Sequence, residues 1–184
     1  MKHPFFMEKE DALLAVIDVQ EKLFAVMDQQ EKMVKNIGTL IQTAQRLHLP
    51  IVVTEQYPEG LGPTIPALRQ LLGEEQPFAK LVFSCWRAEP FWVRLTDLGR
   101  KTVILTGMEA HICVLQTALD LLQAGFSVHV PVDAVCSRSK EHWKVAIEQL
   151  QMAGAVITCA ETVAFELLQE AGTEDFRVLS KLFR

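Results

Sequence analysis

The sequence predicts a three-layer α/β/α fold in which helices cover both faces of a parallel sheet of six strands. Short runs that are apolar at nearly every position alternate with longer segments whose apolar residues recur at spacings of three and four. The first pattern suits strands buried on both faces, the second amphipathic helices. The alternation repeats about six times, as in sheets wound by strand–helix–strand units. The chain has 184 residues, 49% hydrophobic and 22% charged, the balance of a globular protein. One domain over residues 1–184 is expected, burying roughly 70% of the unfolded chain's surface.

Strand one is expected at residues 12–19, ALLAVIDV, which does not alternate. Met33, Ile37, Leu40, Ile41, Ala44 and Leu47 then make a helical stripe. Pro50 opens strand two at 51–54. Residues 78–83 read as a weaker third strand and 91–98 as a helix stopped by Gly99. Residues 101–106, KTVILT, are strand four, closed by Gly107. Ile112, Leu115, Leu119 and Leu122 mark the next helix, with the three leucines read as core-facing and Gly125 as the stop. Strand five covers 126–130. Ser139 is expected to cap a helix whose apolar face is Trp143, Ala146, Ile147 and Leu150, ended by Gly154. Strand six covers 155–158, and residues 161–184 read as helix broken at Gly172. Right-handed crossovers and the Rossmann-like strand order 3-2-1-4-5-6 make strands one and four neighbours whose connections diverge, the place where ligands bind in such sheets.

Charge narrows the partners. The formal net charge is −5 and no basic run is present, so a small-molecule substrate and no nucleic acid are expected. The N-terminus, MKHPFFMEKE, turns acidic before a secretory apolar stretch develops. The longest unbroken apolar run covers residues 12–17, against about 18 for a membrane span, so no membrane partner is expected. Cys85, Cys113, Cys136 and Cys159 form no C-x-x-C pair and read as free thiols of a reducing, cytoplasmic compartment.

Candidate chemistry lies at the carboxyl ends of the strands. Asp18, near the end of strand one, reads equally as a buried functional carboxylate or as a loop anchor. Cys113 follows strand four at the start of a helix, where the dipole and free N–H groups favour a thiolate. Its alternative is a small buried hydrophobe, the reading that suits the other three cysteines better. Lys80 sits between Ala79 and Leu81, either as an edge residue or pointing inward at a carboxylate such as Asp18. In the expected strand order Asp18 and Cys113 flank one crevice, and a thiol, a carboxylate and an amine there make a nucleophile, a base and an electrostatic partner. The irregular stretch 55–62 after strand two belongs to the same edge.

At these residues the chain, from about 11 to 170, resembles the isochorismatase-like cysteine hydrolases. Asp18-Val19-Gln20 is similar to that family's D-x-Q. Lys80 lies at the family lysine, followed by Phe83-Ser84. Gly107-Met108-Glu109-Ala110-His111-Ile112-Cys113-Val114 is similar to the nucleophile segment. Asp133-Ala134, Ser137-Arg138, Gly154-Ala155 and Glu161 match the segments around strands five and six. Thr54-Glu55-Gln56-Tyr57-Pro58, with Gly60-Leu61-Gly62, resembles the isochorismatase-domain-containing proteins of undefined substrate.

The resemblance implies a catalytic triad of Asp18, Lys80 and Cys113. It also implies a cis peptide at Met108–Glu109, an oxyanion site from the backbone N–H groups of Glu109 and Cys113, and a homo-oligomer. Gln20, Phe24, Tyr57 and Trp86 are candidates for the substrate wall, with ordinary packing as the equal alternative. The nicotinamidase branch holds a metal with an aspartate and histidines. Here no histidine lies between His48 and His111, and His48 with Glu55 makes no first shell, so neither metal nor cofactor is expected. The function expected is a metal-independent hydrolase of a small amide through a covalent Cys113 intermediate. The alternatives are a vinyl-ether hydrolase of the isochorismatase type and a binding or scaffold protein that retains the fold.

Overall fold

The computed structural model describes residue 3 and residues 5–183. Its strands are β1 Ala12–Ile17, β2 Ile51–Gln56, β3 Phe78–Lys80, β4 Thr102–Met108, β5 Ser127–Pro131, β6 Val135–Cys136 and β7 Val156–Thr158. All pair in parallel in the order β3-β2-β1-β4-β5-β7, with β6 added beside β4. The expected order is therefore the observed one, with β7 as the sixth strand of the sequence reading. The seventh is β6, two residues that pair Gly107 with Val135 and Met108 with Cys136. A two-residue strand has no period to read, so the sequence could not announce it.

The helices are α1 Glu21–Phe24, α2 Gln30–Arg46, α3 Pro58–Leu61, α4 Pro66–Leu72, α5 Glu89–Leu98, α6 Leu115–Gln123, α7 Lys140–Met152, α8 Ala160–Leu168 and α9 Glu174–Leu179. Every residue of β1 is buried, because its two faces feed two separate cores. Leu14 and Val16 meet α2, α4 and α8 through Ile37, Ile41, Leu68 and Val163. Leu13, Ala15 and Ile17 meet α5, α6 and α7 through Phe91, Leu95, Leu121 and Leu150. This double burial explains why β1 shows no alternation. Ser139 caps α7 as expected, accepting the His142 N–H at 3.2 Å. The tail breaks around Gly172, with Thr173 capping α9. Arg184 lies outside the described residues. Among the described residues no helix is long and apolar enough to cross a membrane.

Three departures from the sequence reading shape the site. β1 stops at Ile17, and Asp18 takes a left-handed φ of 52° that turns the chain out of the sheet. β3 stops at Lys80 rather than running to Phe83, and Leu81, Val82 and Phe83 point their side chains to solvent. The predicted core face of α6 is also rotated. Thr117, Ala118 and Leu121 are buried, whereas Leu119 is 42% exposed and Leu115 and Leu122 pack only at the margin. A π-type turn over Ala110–Val114 precedes α6. Ala110, Cys113, Val114, Thr117, Ala118 and Leu121 form the buried stripe, with spacings of three and four, so small and polar residues rather than the leucines face the sheet.

Gly107 secures the contact between β4 and β1. It has φ +112° and faces Ile17 across the ladder, where a Cβ would overlap the Ile17 backbone. Only glycine lets the two strands meet there, one residue before Asp18.

His129 on β5 is 1% exposed, with Nδ1 unpartnered among the described residues and Nε2 3.2 Å from Ser127 Oγ. Burial pushes its pKa down to about 4 from 6.5. The unfolded chain therefore takes up a proton first. The stabilisation is complete above pH 6.5 and is lost as pH falls through 4. On the order of 2 kcal/mol should disappear between pH 7 and pH 4.5. Urea titrations of wild type and His129→Leu across that range test this, and the variant should lose that part of the slope.

Candidate active site

The carboxyl ends of β1, β2 and β3 place a buried ion pair across one intervening strand. Neighbouring strands are about 4.8 Å apart, so a carboxylate after β1 and an amine on β3 must reach over β2 to meet. Lys80 has the length to do so. Its Nζ donates to Asp18 Oδ2 at 2.7 Å, and both side chains are 0% exposed. Two side chains of β2 complete the arrangement. Thr54 Oγ1 donates to Asp18 Oδ1 at 2.7 Å, and Gln56 Oε1 accepts from Lys80 Nζ at 2.7 Å.

An ammonium has three N–H donors. For Lys80 the nearest acceptors are Asp18, Gln56 and the Phe83 carbonyl at 3.1 Å, with the Val82 carbonyl at 3.3 Å. Cys113 Sγ lies 3.7 Å away, so it receives the charge of Lys80 more than a directed bond. Burial works against the Lys80 charge, but the neighbouring Cys85, Asp18 and Cys113 outweigh it and hold its pKa above the ordinary value.

Cys113 sits inside the π-type turn and is 5% exposed. Burial first, and then the Asp18 charge, push its thiol pKa far up, with Lys80 pulling only partly the other way. The helix-start expectation of a favoured thiolate is thus corrected. α6 begins two residues later, and in this dry setting burial and a nearby carboxylate outweigh the dipole. Cys113 rests as a thiol, close enough to Asp18 to feel its charge.

The Met108–Glu109 peptide is cis. The Glu109 carbonyl accepts from Ile112 N at 3.0 Å and Val114 N at 3.2 Å, and neither bond uses the Cys113 N–H. Among the described residues no acceptor takes the Glu109 N–H. The Glu109 carboxylate binds Arg138 Nε at 2.9 Å, while Ser137 Oγ meets His111 Nδ1 at 2.9 Å. Ser137 and Arg138 therefore brace the turn that carries Cys113. Asp133 accepts from Ala160 N at 2.9 Å, an end cap for α8 away from the thiol.

The four wall candidates part company. Gln20 is fully buried, with its amide N–H groups on the carbonyls of Gln56 and Gly62 and its Oε1 accepting from Gln56 N, so it anchors a loop. Phe24 packs against the α2-side core. Trp86 stacks edge-on to Phe126, at the amino end of β5 and so at the other edge of the sheet. Tyr57 alone is exposed at this edge, 49%, with its N–H on the Lys80 carbonyl at 2.8 Å. Glu55 binds Thr64 through its N–H at 2.6 Å and its hydroxyl at 2.7 Å. The stretch 54–62 thus builds the scaffold beneath the pair. Sequence reasoning missed Thr54, Gln56 and Cys85 as neighbours of the pair. The available signal was two polar residues at i and i+2 ending a buried strand, which places them on one face. A separate cavity of about 360 Å³, lined by Lys32, Cys136, Ser139, Lys140 and Trp143 among others, does not include Asp18, Lys80 or Cys113.

The model of the isochorismatase domain matches residues 11–162. A secreted isochorismatase effector of Phytophthora sojae is 38% identical over 178 residues, covering 94% of this chain and 84% of the relative. A Caenorhabditis elegans structure described as MAR1 ribonuclease superposes with a TM-score of 0.90 at 39% identity, covering 96% of this chain and 91% of that one. The Escherichia coli YcaC product, described as an octameric hydrolase of unknown specificity, superposes with a TM-score of 0.92 at 26% identity, covering 100% of this chain and 91% of that one. With its strand order, the Asp18–Lys80–Cys113 cluster and these similarities, the chain belongs to the isochorismatase family of hydrolases.

Proposed function

We propose that this protein hydrolyses a C–N bond of a small amide through a thioester on Cys113, with Asp18 as base and Lys80 as fixed charge. The observation that carries the reading is the fully buried Asp18–Lys80 pair beside the Cys113 thiol. Asp18 takes the thiol proton as Sγ attacks the carbonyl carbon. The oxyanion that forms faces the backbone N–H groups of Glu109 and Cys113, donors of a kind worth about 3 kcal/mol each in known enzymes. As the C–N bond breaks, Asp18 returns the proton to the leaving amine. Water then attacks the thioester, Asp18 takes its proton, and the acid departs with the thiol restored. No metal or cofactor enters these steps. Lys80 holds Asp18 and offsets the negative charge as it passes from the carboxylate to the sulfur.

A small substrate suits a cysteine that is 5% exposed. Tyr57 is the one wall candidate kept, at the rim. The four thiols are unpaired, which supports a reducing, cytoplasmic setting. Residues 1–184 form one functional unit in this reading.

Three measurements test it. A panel of small amides, isochorismate and RNA is assayed with wild type and Cys113→Ala, RNA because of the description of the C. elegans relative. Amide turnover should fall about 10³-fold or more in the variant, with an acyl adduct on Cys113 in wild type by mass spectrometry. Retained turnover of isochorismate in Cys113→Ala would favour the vinyl-ether reading, and RNA cleavage alone would remove the amide reading.

Lys80→Ala should raise the pH at which Cys113 is alkylated, because the charge that pulls the thiol pKa down is gone. An unchanged or lowered midpoint would assign Lys80 to packing or to holding Asp18 alone.

A homo-oligomer belongs to the same reading, supported by the octameric E. coli relative and by the exposed Leu81 and Phe83 at this edge. Light scattering should give a mass above 20.7 kDa, and a monomer at working concentration would count against it.

A further inference from the structure

We propose that Thr54 is a positioning residue of the reaction, its hydroxyl holding the Asp18 carboxylate in one orientation beside the Cys113 thiol. The inference rests on the reading of Asp18 as the base. Thr54 is 0% exposed and holds Asp18 twice. Its carbonyl accepts the Asp18 N–H at 3.1 Å and its hydroxyl donates to Oδ1 at 2.7 Å. Parallel pairing of Ile17 with Thr54 brings the two together, at the point where Asp18 turns out of the sheet with φ 52°.

The direction of the hydroxyl is set by a third group. Thr54 has one proton, and a carboxylate can only accept. Cys85 Sγ lies 3.7 Å from Thr54 Oγ1, so the Cys85 thiol is the donor of that contact. Burial pushes Cys85 up to about 12, which keeps it protonated in neutral solution. The chain therefore runs from Cys85 S–H to Thr54 O–H to Asp18 Oδ1. Lys80 occupies Oδ2. The carboxylate is clamped at both oxygens, and its orientation toward Cys113 is fixed before substrate arrives. The groups facing Asp18 are Thr54 from β2, Lys80 from β3, Cys85 from the 3₁₀ turn Cys85–Arg87 and Cys113 from the π-type turn. Removing the hydroxyl should leave the Asp18 carboxylate held at one oxygen and free to rotate away from the thiol.

The test is alkylation of Cys113 by iodoacetamide between pH 4 and 9, read by peptide mass spectrometry, in wild type, Thr54→Val, Thr54→Ser and Asp18→Asn. Thr54→Val keeps the shape and loses the O–H. It should slow Cys113 alkylation about tenfold across the range, because a carboxylate free to rotate accepts the thiol proton less often. Thr54→Ser, which keeps the O–H, should restore the rate to within about twofold of wild type. Should Thr54→Val fail to fold, Thr54→Ala carries the same expectation. A Thr54→Val rate profile that superposes on wild type, or a Thr54→Ser loss as large, would overturn the inference alone. An Asp18→Asn profile identical to wild type would overturn it together with the assignment of Asp18 as base.

Discussion

The structure depends on burying one opposite-charge pair. Asp18 and Lys80 are removed from water completely, at the end of a sheet whose interior is otherwise hydrocarbon. A buried ion pair is tolerated only if its remaining donors and acceptors are satisfied, and breaking one by removing a partner costs about 3–5 kcal/mol. The surrounding chain is arranged to meet that demand. Thr54 and Gln56 come up from the strand between the partners. The carbonyls of Leu81, Val82 and Phe83 turn inward, to Gln56 Nε2 and Lys80 Nζ. Their side chains are thereby turned outward, which is why three consecutive apolar residues face solvent next to the site. The early end of β3 and this exposed patch share one cause: the ammonium recruits the backbone that a longer strand would have kept in the ladder.

The position of Cys113 is set by a second constraint, the close approach of β4 to β1. Gly107 allows the strands to touch opposite Ile17, and the chain then passes through the cis peptide into the π-type turn. The turn places Cys113 against the ion pair rather than out on the first turn of α6. Burial makes the thiol reluctant to ionise, so the site stores its proton on sulfur and keeps the acceptor on Asp18. Glu109, just before the turn, and His111, within it, are tied to Arg138 and Ser137, so the short strand β6 and the residues after it brace Cys113 from behind.

The stretch 54–62 shows how one sequence feature supports two readings. Its glycines, proline and polar residues mark an irregular loop at the ligand edge, and such loops commonly line substrates. In the fold, Thr54, Glu55 and Gln56 all point to partners within the scaffold, and Gln20 closes the loop from beneath. Trp86 is a comparable case. Six residues after Lys80 in sequence, its ring packs with Phe126 at the opposite edge of the sheet.

What the sequence determined by itself is the layering, the strand order and a short list of candidate residues. Those follow from local chemistry: a run apolar at every position requires burial on both faces, and glycines mark where helices stop. Asp18, Lys80 and Cys113 each stood out because a polar group beside a buried strand needs a reason. What only the tertiary structure decided is how these groups act on one another. Asp18 meets partners 36 and 62 residues away, and Lys80 meets Cys113 across 33. The thiol's protonation, the saturation of the lysine and the part played by Thr54 depend on distances of 2.7 to 3.7 Å between those remote residues. Which face of α6 is buried was also decided by packing, since Thr117 and Ala118 rather than Leu115 and Leu119 meet the sheet. A linear pattern carries period and polarity, but electrostatic interaction and hydrogen bonding act through space, so their outcome was fixed only when the strands were laid side by side.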